Sequence, residues 1–211
     1  MDTADETVFR KEIDPKYKAN REAPPEDLPP QIDRICQIVA SQGIPLLGVP
    51  GFEADDIIAT LCHRLADEDV EIVLVSKDKD LDQLLTDKVR MFDPGKNVFL
   101  GPTEIQEQKG YSPAQAIEVQ TLTGDSTDNV PGIKGVGPKN AAALIAKYGT
   151  AKAVVEHADE LTPKMRENVL AYGDQLETTR QLVTLRKDVP IDIELEACQW
   201  TGLNKAAIKP I

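Results

Sequence analysis

Seven carboxylates confined to three short stretches limit what this chain can fold into. Glu53, Asp55 and Asp56 lie in GFEADDIIA, Asp78 and Asp80 in VSKDKDLDQLL, and Asp125 and Asp128 in TGDSTDN. Acids this dense repel one another unless they are dispersed in solvent or gathered about a hard cation. Directly after the third stretch comes a glycine-rich turn, Gly132-Ile133-Lys134-Gly135-Val136-Gly137-Pro138-Lys139. Oxygen-only ligation suits Mg²⁺ or Mn²⁺. A glycine turn that opens a helix suits a phosphate. The two features together imply metal-dependent chemistry on a nucleic-acid backbone.

The charge balance pulls the other way. A formal net charge of −12 over 211 residues argues, taken alone, against a nucleic-acid partner. Bound cations invert the local sign, however, and basic stretches exist. Residues 132–149 carry Lys134, Lys139 and Lys147 and no acid, and residues 9–21 carry Arg10, Lys11, Lys16, Lys18 and Arg21 against Glu12 and Asp14. No apolar run approaches membrane-spanning length, and the acidic start MDTADETVFRKE is no signal peptide. A cytoplasmic protein with no membrane partner is expected. Cys36, Cys62 and Cys198 lack zinc spacing and read as reduced, inert, buried thiols.

The chain divides by periodicity. Residues 1–30 show little of it, and the proline-rich stretch 23–30 is a stiff loop. Residues 31–41 read as a helix with Ile32, Ile35, Ile38 and Val39 on one side, closed by Gly43. Residues 44–49 suggest a short buried strand. A helix over 53–66 turns Ile57, Ile58, Leu61 and Leu65 inward, an apolar strand follows at 70–75, and a short helix runs through Leu85. Residues 89–92 and 97–100 look like a strand pair around Asp93-Pro94-Gly95-Lys96. Such alternation predicts an α/β core with a mostly parallel sheet over residues 1–100. From Gly101 the pattern is helical. Thr103 starts one helix, Ser112-Pro113 starts another with Gln115 completing a capping box, and 139–147 forms a third. Thr162-Pro163 opens a fourth, and Gly173-Asp174 separates it from one running to about Arg186, before a strand at 189–195. Residues 101–211 are thus expected to be a helical subdomain.

Each acidic cluster has a bland explanation by itself. Glu53, Asp55 and Asp56 complement the dipole of a helix start. Asp78 and Asp80, interleaved with Lys77 and Lys79, fit a solvated loop, and Asp125 and Asp128 fit a turn. Their joint placement between elements changes the balance, because ligands in open α/β sheets bind beyond the carboxyl ends of strands. Seven acids could hold two metals roughly 4 Å apart, the arrangement used for in-line phosphodiester hydrolysis. His63 and His157 sit in helical contexts and read as surface or packing residues. In the glycine turn, Ile133 and Val136 should pin a hairpin to the core, while Gly132, Gly135 and Gly137 let backbone N–H groups approach a phosphate and Lys134 and Lys139 add charge. The spacing is a helix-hairpin-helix signal for duplex backbone without sequence readout; the plain alternative is a helix connector.

Five motifs now stand in order: Phe9-Arg10-Lys11-Glu12, Tyr17-Lys18-Ala19-Asn20-Arg21, Glu53-Ala54-Asp55-Asp56, Asp78-Lys79-Asp80-Leu81, and Gly124-Asp125-Ser126-Thr127-Asp128-Asn129 with its hairpin. Together they resemble the 5′ nuclease domain of bacterial DNA polymerase I, related to the flap endonucleases. The resemblance implies a PIN-like core, an arch-like segment near residues 8–30, and a helix-three-turn-helix module. It implies cutting of DNA at 5′ flaps and 5′ ends of duplex junctions in primer removal and repair, with two ions of Mg²⁺ or Mn²⁺. By position, Glu53, Asp55, Asp56, Asp78, Asp80, Asp125 and Asp128 match the metal site, the aspartates as its catalytic members. Arg10 and Lys18 match groups that steady the scissile phosphate, and Tyr17 and Arg21 match contacts to the displaced strand. The hairpin matches a duplex-binding element with K⁺ on its carbonyls. The implied setting is a monomer near the bacterial nucleoid, or part of a longer chain with a polymerase domain.

One departure counts. The family begins earlier, with a buried strand carrying a metal-binding aspartate, and Met1-Asp2 aligns with a later Phe-Asp motif, which makes Asp2 a further metal candidate. A core lacking its first strand should expose Val73 and Leu74 and weaken metal binding. Three functions follow: an active 5′ nuclease, an impaired fragment that holds branched DNA, or a PIN-like ribonuclease, against which the hairpin argues.

Overall fold

The computed structural model describes residues 8–209, so Asp2 lies outside the described residues. A one-turn helix α1 (Arg10–Ile13) precedes the longer α2 (Leu28–Ser41) and α3 (Ala54–Arg64). Glu53 caps α3 reciprocally with Asp56, which fixes where that helix starts. The apolar run after it becomes β1 (Ile72–Val75), and beyond the carboxyl end of that strand Asp78 caps the start of a 3₁₀ helix, Lys79–Leu84. Then come β2 (Val89–Asp93) and β3 (Val98–Leu100), joined by a turn in which Asp93 Oδ1 accepts from the N–H groups of Gly95 at 2.9 Å and Lys96 at 3.2 Å.

The sheet has the order β1-β2-β3. β1 pairs parallel with β2, Ile72 opposite Val89, and β2 pairs antiparallel with β3, Met91 opposite Leu100. It therefore holds one parallel and one antiparallel pair where mostly parallel pairing was expected. Residues 44–49 form no strand. Pro45 removes a ladder donor, no strand among the described residues pairs with the segment, and Ile44 and Leu46 are exposed. Residues 189–195 form none either, because Arg64 draws them onto the end of α3 through the carbonyls of Ile191 at 2.7 Å and Ile193 at 3.3 Å.

The second half is helical: α4 (Pro102–Lys109), α5 (Ala116–Thr123), α6 (Pro138–Tyr148), α7 (Ala151–Glu156), α8 (Pro163–Tyr172) and α9 (Leu176–Val183), with a last turn α10 (Lys205–Ile208). The Ser112–Gln115 capping box forms as expected, ahead of α5. α9 stops at Val183, short of Arg186, because Arg10 and Gln83 take up the backbone groups that follow. One apolar cluster runs from Leu74 and Met91 in the sheet to Ile145 and Val169 in the helices, so the two halves share a core.

One side stays open. Helix α2 has the predicted amphipathic pattern yet buries no residue; Ile32 is 40% and Ile35 59% exposed. On β1, Val73 is exposed as expected, and Val75 more so at 68%, but Leu74 is buried. The period of two explains the split: Val73 and Val75 share one face, and Leu74 turns to the core on the other. Among the thiols, Cys62 is buried and pushed up to about 11 by that burial, whereas Cys36 is half-buried and Cys198 exposed, contrary to expectation.

Candidate metal centre and nucleic-acid interface

The carboxylates arrive from three directions. The capped start of α3 brings Glu53 and Asp55, the carboxyl end of β1 brings Asp78 and Asp80, and the loop after α5 brings Asp125 and Asp128. That last loop is shaped by Asp125, whose N–H and C=O pair with Val130 at 2.9 and 2.7 Å and whose Oδ1 accepts from Thr127 N–H at 2.8 Å. One oxygen each of Asp80, Asp125 and Asp128 lies within 4.8 Å of the others. A basin of about 240 Å³ is lined by Glu53, Asp55, Asp78, Asp80 and Asp128 together with Arg10, Tyr17, Lys18 and Arg21. The donor set is all oxygen, which fits a hard divalent cation.

Basic groups offset part of this charge. Lys18 pairs with Glu53 and lies 3.7 Å from Asp128, Arg21 pairs with Asp128 at 2.5 Å, and Lys79 with Asp125 at 3.0 Å. Burial, reinforced by the charge of Asp78, raises the Asp80 carboxyl to about 6 in spite of a 2.7 Å hydrogen bond from Gln120 Nε2. Asp125 goes the other way: burial opposes ionisation, but Lys79 and the N–H groups of Thr127 and Asp128 outweigh it and lower the carboxyl. The two acids thus share a basin with opposite proton affinities.

Three candidates carry intramolecular contacts that the sequence did not reveal. Both oxygens of the fully buried Asp56 are taken: Oδ1 by Arg10 at 2.7 Å and Arg186 N–H at 2.9 Å, Oδ2 by Arg10 at 2.7 Å and Glu53 N–H at 3.2 Å. It faces Arg10 instead of the basin. Arg10 is itself buried, and its remaining donors reach Glu53 at 2.6 Å and the Leu182 carbonyl at 2.8 Å. It clips α3 to the end of α9 and also lines the carboxylate basin. Tyr17, expected to meet a DNA strand, is buried; its hydroxyl donates between Glu53 Oε2 at 3.0 Å and Asp128 Oδ2 at 3.3 Å. Burial, and next the charge of Glu53, raise its pKa, so it stays protonated. Lys18 adopts φ +55° and reaches the basin because its N–H is held by the Asp128 carbonyl at 2.8 Å.

The hairpin forms as expected, with Ile133 and Val136 buried and Lys134 and Lys139 exposed. Gly135 takes φ +81° and Gly137 opens α6 in free space. Gly132 is different: a Cβ there would lie 2.1 Å from the Thr123 carbonyl oxygen, and one on Gly124 2.5 Å from Pro131. These two glycines stack the carboxylate loop on the hairpin, a packing need that the phosphate argument misses. Sequence reasoning also missed Gln120, which sits one helical turn ahead of Gly124 on the buried side of α5, and the use of Lys79 as a counter-ion. His63 and His157 are exposed and line no part of the basin.

The family profile described as 5′-3′ exonuclease, N-terminal resolvase-like domain, matches residues 1–110, and that described as 5′-3′ exonuclease, C-terminal SAM fold, matches residues 111–206. This chain belongs to the 5′-3′ exonuclease family. DNA polymerase I of Rhizobium leguminosarum is 44% identical over 90% of the chain and 19% of the relative, and the thermostable DNA polymerase I of Thermus aquaticus is 38% identical over 88% and 22%. The chain thus spans about a fifth of these curated relatives. T5 5′-exonuclease with bound zinc is similar at TM-score 0.76 and 25% identity, covering 86% of this chain and 71% of that one. The bacteriophage T5 flap endonuclease in complex with DNA and metal ions gives TM-score 0.74 at the same identity and coverage. Members of this family are metal-dependent 5′-3′ nucleases with a PIN-like core and a helical second domain. Among the described residues no helix is long and apolar enough to cross a membrane.

Proposed function

We propose that this chain hydrolyses DNA phosphodiesters at 5′ flaps and 5′ ends of duplex junctions, using two ions of Mg²⁺ or Mn²⁺. The observation that carries this is the convergence of Asp80, Asp125 and Asp128 oxygens within 4.8 Å, two of them on the loop that leads into the hairpin. Glu53, Asp55, Asp78, Asp80, Asp125 and Asp128 would hold the cations, which supply Lewis acidity to the scissile phosphate. Asp56 and Arg10 position Glu53, and Tyr17 ties Glu53 to Asp128. Lys18 and Arg21 lie at the basin mouth, where an incoming phosphate replaces the carboxylates they now pair with. Residues 1–100 would carry the cutting and residues 101–211 the duplex, gripped by Lys134, Lys139 and the backbone of Gly135 and Gly137, with K⁺ against the hairpin carbonyls. A monomer acting at the bacterial nucleoid, within a longer polymerase chain, is the setting this implies.

A second possibility is a chain that holds branched DNA and cuts poorly. The ion pairs from Lys18, Arg21 and Lys79 favour it, since cations and side chains compete for the same oxygens. Cleavage of a labelled 5′-flap substrate with Mn²⁺, against EDTA and Asp128→Asn controls, separates the two. The nuclease reading expects metal-dependent flap release, reduced at least about 100-fold in Asp128→Asn with duplex affinity kept. Binding without release in the parent chain would support the second reading and refute the first.

A further inference from the structure

A cavity of about 370 Å³ opens between α4, α5 and the start of α6, outside the carboxylate basin. Its size lies at the lower end of ligand pockets. Tyr111, Val119 and Pro138 give it an apolar wall, and Lys79, Lys109 and Lys139 also line it; the ammonium groups of Lys79 and Lys109 are held by Asp125 and Asp82, which leaves that of Lys139. Part of this wall is fixed from behind by Asp82, a fully buried carboxylate on the 3₁₀ helix. Its Oδ2 accepts from the Lys109 ammonium and, at 2.8 Å, from the Tyr111 hydroxyl, while its Oδ1 has no hydrogen-bond partner among the described residues. Burying a carboxylate with one oxygen unsatisfied costs free energy that packing does not return. What the arrangement yields is a fixed position for Lys109 and Tyr111, the kind of support a preorganised binding wall needs.

The location is equally informative. Lys79 pairs with Asp125 and Gln120 holds Asp80, so one side of the cavity touches the metal centre. Pro138 and Lys139 open α6 at the exit of the hairpin, and Lys139 has no ion pair among the described residues. A group with a flat apolar face and an anionic end fits such a lining, and a nucleotide has both. We propose that this cavity is a subsite for one unpaired nucleotide, its base against Tyr111, Val119 and Pro138 and its phosphate at Lys139. The proposal rests on the nucleic-acid reading above and adds to it a place, beside the cutting centre, that senses an extrahelical base. The nucleotide comes either from the bound strand or as a free mononucleotide.

The test uses the whole chain in EDTA, so that cutting plays no part. Binding of dTMP, thymidine and inorganic phosphate is measured by calorimetry, beside binding of a blunt duplex and the same duplex with one unpaired nucleotide. Gln108, exposed at the cavity wall, is replaced by Trp to fill it and by Ala as a control. The expected result is dTMP binding at least tenfold tighter than thymidine or phosphate, or a like preference for the unpaired duplex, lost in Gln108→Trp and kept in Gln108→Ala. The first outcome assigns the site to free mononucleotide, the second to the strand. Phosphate binding as well as dTMP, or a Gln108→Trp chain that behaves as the parent, overturns the subsite. If blunt duplex binds normally in that case, only the subsite falls; if no DNA binds at all, the reading beneath it falls too.

Discussion

The helical half and the outer side of the sheet both carry apolar side chains, yet these end in opposite states. Ile145, Val154 and Val169 on α6, α7 and α8 have no accessible surface, because each helix packs on its neighbours. On α2 the same periodicity leaves Ile32 and Ile35 in solvent, and Val73 and Val75 on β1 join them there. Hydrophobic periodicity states that a face should be buried; it does not supply what buries it. The half that carries the hairpin is therefore buried in the shared core, and the side that carries α2 stays outside it.

The sharpest way to break this contrast is a pair of truncations. Ile145→Ala should destabilise by about 2–5 kcal/mol through the cavity it leaves, whereas Ile35→Ala should change stability by less than about 0.5 kcal/mol. Urea unfolding of both variants checks this, and a large effect at Ile35 would mean that α2 is buried in solution. Next comes the seam. Arg10 joins Glu53 and Asp56 to the Leu182 carbonyl, so Arg10→Met strands two buried acids and should cost about 3–5 kcal/mol. A loss near zero in the same unfolding assay would show that the clip contributes nothing.

A third effect is on metal affinity. Asp80 has a folded pKa near 6, above its ordinary value of 3.8, so in the metal-free chain it binds protons more tightly when folded. Its contribution to stability is therefore largest at low pH and falls as pH rises through about 6. A cation must displace that proton, so Mn²⁺ affinity should weaken steeply below pH 6 in calorimetric titrations, and Asp80→Asn should abolish that component. The smallest effect concerns the open side. Val75→Lys should leave stability nearly unchanged and reduce self-association, since a charge on an exposed edge strand opposes pairing with another chain. Light scattering at rising concentration measures it, and unaltered association would place the sticky surface elsewhere.

Much of this protein is local chemistry and could be read from the chain. The starts of α3, α5 and α6, the apolar β1, the β2–β3 turn and the buried Ile133 and Val136 follow from caps, proline, glycine and periodicity, all decided within a few residues. The acidic clusters were equally plain. Their partition was not. Asp55 and Asp56 are neighbours in sequence, yet the 100° step between adjacent helical residues turns Asp55 to the basin and Asp56 to Arg10. Residues 44–49 had strand composition and no strand beside them. Tyr17 was an arch residue in sequence and became a buried bridge only because the loop of Asp128 lies beneath it. Gly132 and Gly124 were legible as turn residues, but the demand that neither carry a side chain comes from their stacking, a contact between segments. Composition and short-range pattern fixed which groups this chain has and which elements it forms. Which carboxylates face one another, and which are neutralised by buried arginine, depended on long-range packing, because charge interactions and burial act through space and take no account of order along the chain.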